Sequence, residues 1–124
     1  MTHGTLLEID EQVDDTGAVV GLSGELDLTN AHLLDEALAR TASPVVILDL
    51  GALAFVDSAG IRVIDQAHRR LGDEGRRLFI VADAETRAAW TFRVAGFSDG
   101  LLIASLDEAR ERAAAHFGAE PLGA

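Results

Sequence analysis

Leu7, Ile9 and Val13 fall on alternate positions with polar residues between them, the period of a strand with one buried face. DDTG at 14–17 supplies turn chemistry, with Gly17 free to take a positive φ. AVVGLSGEL follows as a second strand, so the pattern predicts an opening hairpin. From Thr29 the period becomes helical: Leu34, Ala37, Leu38 and Thr41 share one face. SPVVILDL (43–50) is a nearly continuous β-branched apolar run. A strand covered on both faces reads that way, which places it at the centre of the sheet.

GALAFVD reads as a loop ahead of a second helix. In that helix Ile61, Ile64, His68 and Leu71 recur at i, i+3, i+7 and i+10, while Arg62, Asp65, Arg69 and Asp73 take the opposite side. GDEG (72–75) ends it, and RLFIVA (77–82) is another buried strand. Residues 84–95 read as a third helix with Gly96 as its C-cap, and with Trp90 and Phe92 as core residues. LLIA is a short strand, and Ser105-Leu-Asp-Glu108 is a capping box before a last helix running to about His116. Strands alternating with helices after a hairpin predict an α/β fold. It is a single domain with a small, mixed, mostly parallel sheet of about five strands, packed with about four helices through right-handed crossovers.

Composition narrows the chemistry. The 124 residues contain no cysteine, which removes disulfides, thiol catalysis and cysteine-ligated zinc. The four histidines, at 3, 32, 68 and 116, show no metal-binding spacing, so neither a metal nor another cofactor is expected. Against 10 Lys and Arg stand 21 Asp and Glu, a formal net charge of −11. Such a surface repels phosphate backbones and anionic lipid. The first residues lack the basic region and apolar run of a signal peptide, and no stretch approaches the ~20 apolar residues of a membrane span. The expectation is a soluble cytoplasmic protein that binds neither nucleic acid nor membrane.

In sheets of this kind functional loops lie beyond the carboxyl ends of the strands, and FVDSAGIRVI (55–64) leaves the end of the central one. Ser58 fits there as a helix N-cap, its hydroxyl accepting from the amide of Gly60 or Ile61, worth about 1 kcal/mol. Gly60 in the first turn costs about 1 kcal/mol relative to alanine, which suggests that something must approach the backbone there. The first-turn amides and helix dipole also favour an anion. As a nucleophile Ser58 lacks both the G-x-S-x-G elbow and an evident base. GELD (24–27) sits where a strand hands over to a loop. Asp27 either shapes that turn and caps the next helix, or lies beside the Ser58 loop and helps to position it. Asp49, inside a strand, requires a local hydrogen bond. His68 reads as a partly buried structural residue.

GELD, VVILDLGALAFVDSAGIRVI (45–64) and AGFSDGLLIASLDEA (95–109) together resemble the STAS domain, and more narrowly the bacterial anti-sigma factor antagonists. The resemblance covers about residues 5–116, leaving 1–4 and 117–124 as flexible termini. It implies a regulatory, non-enzymatic protein of stress signalling. Ser58 would be phosphorylated by a cognate anti-sigma factor, an ATP-dependent serine kinase, and restored by a PP2C-type phosphatase. The unphosphorylated form would bind the anti-sigma factor and free the sigma factor. Asp27 maps onto the family aspartate near the phosphorylated serine, with Asp57, Ala59 and Gly60 as the serine's surroundings. Many members carry a second Ser or Thr where this chain has Ala59, so Ser58 is the only acceptor in its loop. The exposed helix face with Arg62, Asp65 and Arg69 is expected to form part of the docking surface, on a monomer or weak dimer. The alternatives are a STAS scaffold or transporter-associated module that is not phosphorylated, and a small serine hydrolase.

Overall fold

The computed structural model describes residues 7–15, 17–83, 85–96 and 102–119, the last four by their backbone alone. The elements run β1 (Leu7–Asp14), β2 (Gly17–Leu26), α1 (Ala31–Arg40), β3 (Val45–Val56), α2 (Ser58–Asp73), β4 (Arg77–Val81), α3 (Arg87–Val94), β5 (Leu102–Ile103) and α4 (Leu106–Ala119). The five strands form one sheet in sequence order. β1 pairs antiparallel with β2, and the remaining neighbours are parallel. This is the mixed sheet with an opening hairpin that the hydrophobic pattern predicts. Segments 1–4 and 120–124 lie outside the described residues, and α4 continues to Ala119, beyond the expected end near His116.

β3 holds the sheet together because its two faces bury different neighbours. Val46, Leu48 and Leu50 join a core with Leu34 and Leu38 of α1, Ile61, Ile64 and Leu71 of α2, and Phe92 of α3. Val45 and Ile47 point the other way, against Ala109 and Ala113 of α4. Each such Leu or Ile contributes about 1.5–3 kcal/mol by leaving water. Gly17 closes the hairpin at φ 132°, and a Cβ there would collide with the Val45 carbonyl. Glycine is thus required by both conformation and space.

Two expectations change. GALAFV is not a loop: β3 runs on through Val56, because Ala52, Leu53, Phe55 and Val56 pair with Ser23 to Leu26 of β2. Register shifts between Gly21 and Ser23, and between Gly24 and Glu25, break the two-residue alternation, so only Leu53 and Val56 of this stretch are buried. Trp90 is not a core residue but is 58% exposed. α3 begins at Arg87, and its short buried stripe is Ala88, Ala89 and Phe92, which turns Trp90 to the opposite side. Phe92 is fully buried, as expected.

A serine at the rim of a groove between the first two helices

The extension of β3 decides how α2 begins. The Asp57 amide donates to the Leu26 carbonyl at 3.1 Å, and the residue remains extended at φ −105°, ψ −174°. Its carboxylate therefore takes the cap position. Oδ1 accepts from the Gly60 amide at 3.1 Å, and the Asp57 carbonyl accepts from Ile61 at 3.0 Å. The expectation that Ser58 caps the helix is thus corrected: Asp57 is the N-cap and Ser58 is the first helical residue, exposed to solvent. Among the described residues its hydroxyl makes no hydrogen bond.

Gly60 is explained from inside the molecule. It is buried, and a Cβ on it would lie 2.7 Å from Leu26 Cγ and 2.8 Å from Val56 Cγ2. What approaches the backbone here is the molecule's own core, so the glycine lets α2 start close against β2 and β3. An external partner is not needed to account for it.

The second oxygen of Asp57 reaches a different segment. Oδ2 accepts from the Leu28 amide at 3.1 Å, tying the start of α2 to the turn after GELD. That turn is closed by its own side chains. Asp27 Oδ1 accepts from the Thr29 amide at 2.9 Å and from the Thr29 hydroxyl. Asn30, 5% exposed, accepts from the Asp27 amide and donates to the Glu25 carbonyl, both at 2.9 Å. Asp27 thus shapes its own turn and is joined to the Ser58 region through Leu28 and Asp57, while Asn30 precedes α1 without a side-chain cap bond. Asp49 accepts from the Gly51 amide at 2.9 Å, the expected local role.

Between α1 and α2 lies a groove of about 540 Å³. Leu28, His32 and Asp35 line one side, and Asp57, Ser58, Ala59 and Arg62 the other. Leu28 is 78% exposed although apolar. Of the residues singled out on the helix face, Arg62 lines this groove, whereas Asp65 and Arg69 do not and pair with each other at 3.2 Å. Arg70 of α2 pairs with Asp35 at 3.6 Å across the two helices. The sequence reading missed Leu28, Asn30, His32 and Asp35. Only Leu28 carries a local signal, an apolar residue between Asp27 and Thr29 outside any periodic pattern.

A second depression, about 570 Å³, involves Glu8, Asp10, Ser23 and Asp49. Ser23 donates there to Glu8 at 3.4 Å, and no histidine lines it. Among the described residues no group of three or more His, Asp or Glu could hold a metal ion. No helix among them is long and apolar enough to cross a membrane.

Comparison with known proteins bears on the family and the fold. The family model of the STAS domain matches residues 7–109. The anti-sigma-F factor antagonist RsfB of Mycobacterium tuberculosis is 26% identical over 73 residues, which span 56% of this chain and only 60% of RsfB. A solved anti-sigma factor antagonist from Mycobacterium paratuberculosis has a TM-score of 0.79 at 22% identity, covering 92% of this chain and 99% of that one. The anti-sigma factor antagonist SpoIIAA in its unphosphorylated form has a TM-score of 0.70 at 22% identity, covering 89% and 97%. The phosphorylated form of the Bacillus protein gives 0.66 at 20%, covering 86% and 98%. The structural matches carry the fold, the family match spans most of the chain, and the chain belongs to the STAS domain family.

Proposed function

We propose that this protein is an anti-sigma factor antagonist switched at Ser58. In its unphosphorylated form it binds a cognate anti-sigma factor with serine kinase activity and thereby frees a sigma factor. The observation that carries this reading is the placement of Ser58, exposed on the rim of the groove and relieved of capping by Asp57. The relatives are named as anti-sigma factor antagonists, and SpoIIAA is described in phosphorylated and unphosphorylated forms. The γ-phosphoryl group of ATP passes to Ser58 Oγ, ADP leaves, and the hydroxyl proton goes to a base on the kinase. A PP2C-type phosphatase reverses the step by hydrolysis. The switch operates in the cytoplasm, where the ATP and the transcription machinery are.

Charge makes the switch effective without refolding. A phosphate adds about −1.5 to −2 units at neutral pH. Against a partner carboxylate ~8 Å away, at an effective dielectric of ~20, each unit pair repels by roughly 2 kcal/mol. Every ~1.4 kcal/mol is tenfold in affinity. The helix N-terminus accommodates the added anion within the domain. Leu28, exposed beside the serine, supplies apolar area for the partner, and Arg62 a cation.

Incubation with the cognate kinase and ATP, followed by mass spectrometry, tests the assignment. Phosphate is expected on Ser58 and absent from the Ser58→Ala protein. Labelling at another residue, or none with an active kinase, would overturn it. Binding that ignores ATP and Ser58 substitution would instead identify a scaffold or transporter-associated module.

A further inference from the structure

α2 carries four arginine or histidine side chains beyond its first turn, and the arginines differ in their partners. Arg69 is paired with Asp65, and Arg70 with Asp35. Arg62 is exposed and lines the same groove wall as Ser58, with no ion pair among the described residues. It stands four residues after Ser58, so the two side chains are neighbours on the helix surface, with Cβ atoms about 5–6 Å apart. An anion placed N-terminal to a cation at this spacing is the favoured orientation. Asp57, next to the serine, has both carboxylate oxygens engaged by backbone amides, so its charge is held in place.

We propose that Arg62 is the intramolecular partner of a phosphate on Ser58. This rests on the reading that Ser58 is the modified serine, and it adds how the modification is held. The planar guanidinium fork engages two phosphate oxygens at once, spanning the first turn of α2. The switch then has two parts. Phosphorylation adds negative charge to the groove and also withdraws the cation that the unmodified protein offers to a partner's carboxylate. A neutral residue at position 62 would leave the added charge but remove the withdrawal.

The test uses the full chain with phosphoserine inserted at position 58 during translation, so that no kinase is needed. The pH titration of the phosphate is followed by ³¹P NMR in the otherwise unchanged protein and in Arg62→Gln, Arg69→Gln and His32→Gln backgrounds. His32 and Asp35 of α1, with Asp57, also face the groove, so the His32→Gln background separates the guanidinium from the imidazole. Arg62 is expected to lower the midpoint of the second phosphate ionisation, so Arg62→Gln raises it by about half a unit. The difference persists in the His32→Gln background and shrinks at high salt. Arg69→Gln leaves the midpoint unchanged. Equal midpoints with and without Arg62 would overturn the pairing. So would an equal rise on Arg69→Gln, which would mean a diffuse field, or loss of the Arg62 effect without His32. A kinase assay that fails to label Ser58 counts against the functional reading alone, because these titrations do not depend on a kinase.

Discussion

Asp57 and Ser58 are adjacent, and both side chains suit a helix start, yet they have separate tasks. Asp57 satisfies two amides, those of Gly60 and Leu28; Ser58 faces solvent. Asp57→Ala is therefore expected to destabilise the protein by about 2 kcal/mol, from the lost cap and the unpaired Leu28 amide. Ser58→Ala should stay within about 0.5 kcal/mol, as exposed substitutions do. Urea unfolding of both variants measures this, and a larger cost for Ser58→Ala would contradict the assignment of the cap. The division was not legible in the sequence. Which of two neighbouring cap-competent residues does the capping depends on where β3 ends. A serine there was legible as a candidate switch; its freedom from structural duty was not.

The place of Ser58 depends on how closely α2 starts against the sheet. Gly60 allows that approach, with Leu26 and Val56 in the space a side chain would take. Gly60→Ala is expected to cost about 1–3 kcal/mol by overpacking, visible as a lower urea midpoint with an unchanged slope. An unchanged midpoint would mean that α2 does not need this contact. The helical stripe of α2 and the β-branched run of β3 were readable because both follow a single period over many residues. The second half of β3 was not, because two register shifts scramble its alternation. Trp90 misled for a related reason: in an eight-residue helix the buried stripe is too short for an aromatic residue to show its side. The turn held by Asn30 escaped because its hydrogen bonds join residues with no periodic signature.

Across the whole molecule, the sheet brings two loops to the same place. The turn after β2 and the start of α2 are joined by the Asp57 to Leu28 hydrogen bond, which sets an exposed leucine and an exposed serine beside one groove. The chain's formal charge of −11 makes that groove a sensitive position, since an added dianion joins a surface that is already acidic. Ser58→Ala is expected to retain binding to the cognate anti-sigma factor while Ser58→Glu weakens it, as pull-down from a mixture of the two purified proteins would show. Equal retention of both variants would argue against control by charge. The most direct measurement is the affinity of the unmodified and Ser58-phosphorylated proteins for that anti-sigma factor, by titration calorimetry at ~0.15 M salt, where screening is moderate. A phosphate repelling even one partner carboxylate by roughly 2 kcal/mol per unit charge predicts at least a tenfold loss; equal affinities would contradict the proposal that Ser58 is the switch.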